Sequence, residues 1–257
     1  MPCRIAATRP LPSGSGRMNS FELPRLGSDA DAPFPPTTKA LASPNGLLAW
    51  GGDLQPTRVL KAYRAGIFPW YSEGQPILWW SPAPRCVLFP AEVHLSRRTR
   101  RRYNSGVYHL TADTAFAAVM SACAEPRGDD NGTWITPEML HAYTDLHQAG
   151  HAHSVEVWEN DRLTGGIYGL SIGSVFFGES MFSRQSDASK IALVALCRQL
   201  QEWGYGLLDC QVGNPHLYRM GAEQLSRRQF EDLLQKLTED DRPEQSWLTR
   251  FKPDKRW

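Results

Sequence analysis

Hydrophobic residues recur at helical spacing in five stretches of the chain and predict helices there. Proline at a first turn marks the start of two of them, and Gly204 ends another. Ser226, followed three residues later by Gln229, forms a capping box at the start of the last helix. The predicted helices cover residues 56–65, 114–124, 137–148, 188–203 and 226–237. A further basic helix is predicted over 96–103.

Short runs rich in β-branched and aromatic residues predict strands between these helices. Strands at 155–158, 163–170 and 174–177 are joined by turn sequences, which favours antiparallel pairing. Two more strands are predicted at 85–89 and 207–212. Strands before a helix, a strand after it and a final helix indicate an α/β (α+β) protein with a mixed sheet flanked by helices.

Composition along the chain suggests four segments. Residues 1–33 are rich in Pro, Gly, Ser and Asp and predict a disordered or loosely ordered tail, in which Met18 is an alternative start to Met1. Residues 34–84 predict a small, aromatic-rich N-terminal domain. Residues 85–240 predict a larger domain, and residues 241–257 a C-terminal tail.

Charge and cysteine content narrow the class of protein. The formal net charge is +1, so any nucleic-acid partner must be bound by a local basic patch. Five scattered cysteines without paired spacing favour a reducing cytoplasm over a disulfide framework or a zinc site. No apolar run approaches the roughly 20 residues of a membrane span, and the N-terminus lacks a signal-peptide pattern.

Asp209 and Gln211 are the first candidates for chemistry. They lie two apart on a predicted strand, so both side chains are expected on one face, just before Gly213 breaks the strand. They could act as an acid/base or positioning pair, or as a satisfied polar pair that anchors the turn. Cys210 is expected on the opposite face, as a small core residue rather than a nucleophile.

Glu179 is a carboxylate surrounded by apolar and small residues. Such a group takes a partner or shifts its pKa, which makes it a site candidate. With Phe177, Met181 and Ile167 it would form an apolar pocket with one charged group, suited to a large hydrophobic amino acid. The alternative is that these residues are simply core positions of a sheet.

Five arginines fall within six positions, at 97, 98, 100, 101 and 102. On a helix they form a ridge that could contact successive phosphates, although a solvated surface is equally compatible with the pattern.

Loops supply the remaining candidates. Trp70 and Trp134 could stack on a nucleobase or serve as buried anchors. His151 and His153 are interpreted as structural, because no further ligands lie at metal-binding spacing. The loop at 184–189 precedes a helix, as phosphate-binding loops do, but it lacks the glycines that let a backbone approach a pyrophosphate. It therefore gives little support for binding of acetyl-CoA or a nucleotide.

Taken together, these features resemble the bacterial leucyl/phenylalanyl-tRNA–protein transferases. The resemblance runs in order from about residue 34 to 237. It is carried by the strings at 44–49, 51–54, 66–70, 79–82, 132–136, 150–158, 177–183 and 209–212.

The resemblance implies an enzyme that takes Leu or Phe, and less well Met, from aminoacyl-tRNA. It would join this residue to the N-terminal Arg or Lys of a protein and so mark that protein for degradation. The larger domain would be acetyltransferase-like (GNAT-like) without using CoA. We accordingly expect a cytoplasmic monomer with no metal, cofactor or membrane association.

Residue roles follow from the same resemblance. Asp209 and Gln211 match the reaction centre, where either that pair or a hydroxyl of the tRNA is the base. The side-chain pocket matches Ile167, Glu179 and Leu196. The positions that hold the terminal adenosine match Trp70 and Trp134, and the basic cluster for the acceptor stem matches Arg97, Arg100 and Arg101.

Two other functions fit parts of the pattern. An acetyltransferase would bind acetyl-CoA, and a non-catalytic RNA-binding module would bind tRNA but leave its aminoacyl ester intact.

Overall fold

The computed structural model describes residues 23–126, 133–239 and 246–253. Its strands form two sheets of four and seven strands. The smaller sheet has the order β1-β2-β4-β3 and is accompanied by helix α1 at Pro56–Arg64. Its strands are β1 Arg25–Leu26, β2 Leu47–Gly51, β3 Phe68–Pro69 and β4 Leu78–Trp80.

The larger sheet has the order β11-β5-β10-β9-β8-β7-β6. Its strands are β5 Arg85–Leu88, β6 His109–Ala112, β7 Ala152–Glu159, β8 Arg162–Ile172, β9 Val175–Ser183, β10 Leu207–Gln211 and β11 Glu223–Leu225. The remaining helices are α2 Arg97–Asn104, α3 Phe116–Ala124, α4 Pro137–Gln148, α5 Ala188–Glu202, α6 Pro215–Arg219, α7 Arg227–Thr238 and α8 Trp247–Arg250.

One crossover creates the only parallel pair among the described strands of the larger sheet. β9 leads through α5 into β10, which lies beside β9 in parallel, whereas the other pairs are antiparallel. The parallel ladder is short and ends where Asp209 lies opposite Phe177. Beyond that point the two strands continue without pairing, and a gap opens between them.

Apolar side chains cover both faces of the larger sheet. Helix α5 packs on one face with buried residues along most of its length. The buried residues of α3 and α4 on the other face belong to the same core as those of the smaller sheet. Because this core is shared, we keep the division into domains near residue 84 as a proposal.

The predicted mixed α/β architecture is confirmed, with helices close to their predicted bounds and antiparallel β7, β8 and β9. These strands extend further than predicted. Within β8, Gly165, Gly166 and Gly169 lie where a side chain would meet neighbouring atoms at 3.0 Å or less. A Cβ at Gly169 would lie 2.0 Å from the carbonyl oxygen of Phe177.

Parts of both predicted tails pack against the rest of the chain within the described residues. Arg25 and Leu26, in the predicted N-terminal tail, form β1, which pairs in parallel with β2. Near the other end, Trp247 of α8 is buried and stacks on His153 with a centroid separation of 4.2 Å. Predictions about residues 1–22, including the choice between Met1 and Met18, lie outside the described residues.

Of the helices that the structure describes, none combines the length and apolar character that crossing a membrane requires.

Candidate active site

The gap between the ends of β9 and β10 is a narrow cleft, which we call the β9–β10 cleft. Its volume is about 60 Å³, small beside the roughly 300–1,000 Å³ of sites for drug-sized ligands. Most of its walls are apolar, so it suits one hydrophobic side chain. The described residues that line it are Trp134, Ile167, Gly178, Glu179, Ser180, Met181, Leu193, Leu208, Cys210, Gln211 and Leu217.

Glu179 is the acidic group of the cleft, and two buried tyrosines hold it. The hydroxyl of Tyr63 donates to Oε1 at 2.6 Å, and that of Tyr143 donates to Oε2 at 3.2 Å. Burial raises the pKa of Glu179 to about 7, although the two tyrosine hydrogen bonds oppose this rise. The carboxyl group is therefore protonated in a large fraction of molecules at neutral pH, which lowers the cost of placing an apolar side chain beside it.

Tyr63 and Tyr143 were not identified from the sequence. They come from α1 and α4 and lie far from Glu179 along the chain, at separations of 116 and 36 residues. Their hydroxyl oxygens are 2.6 Å apart. Since neither tyrosine lies in a motif with Glu179, only the packing of α1 and α4 brings the three groups together.

Asp209 is fully buried behind the cleft, in a bidentate ion pair with Arg85. Nε and Nη2 of Arg85 donate to the two carboxylate oxygens at 2.8 and 2.7 Å. Arg85 Nη1 donates to the carbonyl of Gly66 at 3.1 Å, and its guanidinium lies over the rings of Phe68 and Phe230. Both charges are thus paired and hydrogen-bonded, as buried charges must be.

Gln211 projects into the cleft from a strained turn. Its φ is 56°, in the left-handed region, and its backbone N–H donates to Asp209 Oδ1 at 2.9 Å. Its side chain is buried, and within the described structure Nε2 has no hydrogen-bond partner. A free amide N–H in an apolar cleft is a donor available to a ligand, because leaving it unpaired is costly.

The expected alternation of side chains fails at this turn. The sequence placed Asp209 and Gln211 on one face and Cys210 on the other, but the ladder shifts register between 209 and 211. Cys210 and Gln211 line the cleft, and Asp209 instead contacts Arg85.

The two loop tryptophans occupy different positions. Trp134 lines the cleft, whereas the ring of Trp70 packs near Trp80 at a centroid distance of 5.3 Å. The segments that carry them are adjacent, because the hydroxyl of Tyr71, next to Trp70, donates to Oε2 of Glu138 in the first turn of α4 at 2.9 Å.

The predicted arginine ridge is the exposed face of α2. Arg97, Arg100 and Arg101 are exposed, while Nε of Arg102 donates to the Tyr108 hydroxyl at 2.9 Å. Ser96 caps the helix by accepting from the N–H of Thr99. The ridge is therefore a surface of the molecule separate from the cleft.

The structure brings Ile167, Glu179, Gln211 and Trp134 together in the cleft. Leu196 does not reach it: it is fully buried in α5, and Leu193, one turn earlier, takes that place.

The histidine that the sequence interpreted as structural, His153, is paired with an acid: its Nδ1 lies 2.8 Å from Asp113 Oδ2. No cluster of metal-ligating side chains occurs in the described parts of the chain.

Comparison with known families and proteins gives a consistent result. A family model described as leucyl/phenylalanyl-tRNA protein transferase matches residues 87–235, and a model of its N-terminal domain matches residues 52–83. A leucyl/phenylalanyl-tRNA–protein transferase of Nitrosomonas eutropha is 58% identical over 222 residues, covering 86% of this chain and 94% of the relative. One of Cellvibrio japonicus is 52% identical over 224 residues, covering 87% and 95%.

Among solved structures, a GCN5-related N-acetyltransferase from Kribbella flavida matches 66% of this chain and 61% of its own, with 12% identity and a TM-score of 0.35. At that score the likeness adds nothing to the topology described above.

Proposed function

Because the chain belongs to the leucyl/phenylalanyl-tRNA protein transferase family, we propose that it transfers Leu or Phe, and less well Met, from aminoacyl-tRNA to the N-terminal Arg or Lys of acceptor proteins. The observation that carries this proposal is the β9–β10 cleft, where an apolar pocket meets the unpartnered amide of Gln211.

The aminoacyl side chain occupies the apolar part of the cleft. Ile167, Met181 and Leu193 supply hydrophobic walls, and Glu179 adds a carboxyl group whose raised pKa keeps it partly neutral. One methylene in such a pocket is worth only about 1–3 kcal/mol of discrimination. Leu, Phe and Met are all unbranched at Cβ and apolar, so modest selectivity among them is expected.

The reaction joins the acceptor's α-amine nitrogen to the ester carbonyl carbon. The C–N bond forms, the C–O bond to the ribose breaks, and the ribose oxygen leaves with a proton that originates on the amine. An ester is already activated, so placing the amine against it supplies much of the rate.

Gln211 positions the reactants in this scheme. Its amide can donate from Nε2 to the ester carbonyl oxygen, where negative charge develops during attack. An amide is not a base, so the amine's proton passes to the departing ribose oxygen or to the hydroxyl beside it. Asp209 acts through Gln211, because its oxygens already accept from Arg85 and from the Gln211 N–H.

The tRNA is held outside the cleft. Trp134 at the cleft wall and Trp70 on the adjacent loop would stack on the terminal adenosine, a contact worth about 1–3 kcal/mol per base. Arg97, Arg100 and Arg101 on α2 would pair with phosphates of the acceptor stem.

The cellular setting is part of the same proposal. We infer that the protein acts in the cytoplasm, where charged tRNA is available, and that its product is marked for degradation. That it acts as a monomer belongs to the same proposal.

A transfer assay with Leu-tRNA and a peptide beginning in Arg tests the proposal against its rivals. Transfer requires loss of the tRNA ester and appearance of a Leu-peptide amide. An RNA-binding module would bind the tRNA and leave the ester intact. An acetyltransferase would show a thermal shift with CoA, which we expect to be absent.

A further inference from the structure

A second, larger cavity lies between the N-terminal ends of α2 and α5, and we call it the α2–α5 cavity. Its volume is about 610 Å³. Arg98 and Thr99 of α2 form one side, and the turn from Ser183 to Asp187, with Lys190 of α5, forms the other. The scheme above assigns no role to this cavity.

Asp187 has an unusual environment in that cavity. Its φ is 65°, in the left-handed region that few residues other than glycine adopt, and its side chain is only 10% exposed. Oδ1 accepts from Lys190 Nζ at 2.6 Å. Oδ2 is buried and accepts no hydrogen bond from the described residues, and Nε of Arg98 lies 3.9 Å from it.

The carboxylate of Asp187 remains ionised. Burial raises its pKa, but the hydrogen bond from Lys190 and the charges of Lys190 and Arg98 lower it overall. An ionised oxygen without a donor is costly in a buried position, so Oδ2 is prepared to accept from a hydroxyl or an N–H of a ligand.

Cations surround the same cavity. The side chains of Arg98, Arg184 and Lys190 are 81%, 46% and 37% exposed, so each can contact a ligand in addition to its carboxylate partner. Glu125 pairs with Arg184, which leaves the surface with a net excess of positive charge. The N-terminal end of the 15-residue helix α5 adds to the positive potential. A fitting ligand therefore carries both an anion and a hydrogen-bond donor.

Strand β9 connects this cavity to the cleft. Gly178 to Met181 line the cleft, and Phe182 and Ser183 line the α2–α5 cavity. At about 3.3 Å per residue, Ser183 lies roughly 13 Å along the strand from Glu179. The cavity thus lies between the N-terminal end of α2 and the β9 residues that line the cleft.

We propose that the α2–α5 cavity binds the sugar–phosphate backbone of the single-stranded nucleotides that precede the terminal adenosine of the tRNA. Oδ2 of Asp187 accepts from a ribose 2′-hydroxyl, and Arg98 and Lys190 pair with the neighbouring phosphate. This inference rests on the proposed function. Recognition is by side chains, which explains how a loop without glycines contacts a nucleic acid backbone.

A 2′-hydroxyl distinguishes RNA from DNA, and this gives the test its readout. The dissociation constant of the full-length protein is measured by fluorescence anisotropy for uncharged tRNA. The same tRNA is then made with 2′-deoxyribose at the nucleotides just before the terminal adenosine. Because a hydrogen bond to a charged group is lost, we expect roughly tenfold weaker binding or more.

Asp187→Gly completes the test, since glycine accepts the left-handed backbone without strain. This variant is expected to bind the all-ribose tRNA as weakly as the wild type binds the deoxy tRNA, and to show no further loss with the deoxy tRNA. Asp161→Gly is the matched control, because Asp161 has a φ of 59° and is exposed outside the cavity. It should behave as the wild type does.

Three results would overturn the inference. Equal binding of the two tRNAs by the wild type would do so without any variant. An undiminished penalty from the deoxy tRNA in Asp187→Gly would show that Asp187 does not meet the hydroxyl. A raised KM for an Arg-starting peptide, with unchanged tRNA binding, would assign the cavity to the acceptor. Since binding is measured without chemistry, absent transfer by the wild type would count against the proposed function alone.

Discussion

Replacing the buried pair Arg85–Asp209 separates its contribution to folding from its contribution to transfer. Asp209→Asn leaves the guanidinium of Arg85 buried without a counter-charge, between Phe68 and Phe230. Breaking a buried pair in this way costs about 3–5 kcal/mol of unfolding free energy. The double variant Arg85→Met with Asp209→Val removes both charges at similar total volume, so most of that stability should return.

The double variant should regain stability without regaining the rate of aminoacyl transfer. The hydrogen bond from the Gln211 N–H to the Asp209 carboxylate is worth about 1.5–3 kcal/mol, and it holds a left-handed backbone that otherwise relaxes. At about 1.4 kcal/mol per tenfold change in rate, losing this anchor lowers transfer by roughly 10- to 100-fold.

Urea unfolding gives the stabilities, and transfer of Leu from Leu-tRNA to an Arg-starting peptide gives the rates. Gln211→Gly is a useful companion, because it removes the amide while relieving the left-handed strain at a φ of 56°. It should fold at least as stably as the wild type and transfer poorly. A double variant that regains wild-type stability and also transfers at the wild-type rate would refute the positioning role of Asp209.

The remaining predictions concern pH, salt and packing. The folded-state pKa of Glu179, about 7, exceeds its ordinary value of 4.5, so its contribution to stability is fully present below pH 4.5 and is lost as pH rises through 7. Glu179→Gln should reduce this loss of stability with rising pH, measured by thermal melts at several pH values. An equal loss in the variant would contradict the assignment. An apolar aminoacyl group favours neutral Glu179, so the wild-type KM for Leu-tRNA should rise above pH 7, whereas a flat KM would argue against contact. Charge reversal at Arg97 and Arg101 should reduce the slope of log affinity for tRNA against log salt, and an identical slope would leave the ridge as solvated surface. Gly169→Ala forces a Cβ against the Phe177 carbonyl and should cost about 1–3 kcal/mol in urea unfolding, and an unchanged unfolding free energy would contradict the tight packing at this position.

Local patterns predicted the elements well where one periodicity runs through a segment. The capping box of α7 and the proline starts of α1 and α4 are visible in the sequence because they involve neighbouring residues. The strands β1 to β4, β6 and β11 were not predicted, since runs of two to five residues carry too little alternation.

The site was predictable only in part, for the same reason. Glu179 stood out as an acid among apolar residues, but its tyrosine partners come from distant helices. The register shift between Asp209 and Gln211 cannot be seen in the two-residue alternation of a strand sequence. Because of this shift, Cys210 lines the cleft and Asp209 does not. Arg85, 124 residues from Asp209, appeared in the sequence only as the first residue of a strand.

The central claim is that the β9–β10 cleft transfers an aminoacyl group to an N-terminal Arg or Lys. The most direct measurement follows radiolabelled Leu from Leu-tRNA into two peptides that differ only in beginning with Arg or with Gly. The wild-type protein should join Leu to the Arg peptide and leave the Gly peptide unmodified. The Gln211→Gly variant should lose most of this activity. Intact Leu-tRNA ester in the presence of the Arg peptide, or equal labelling of both peptides, would contradict the account.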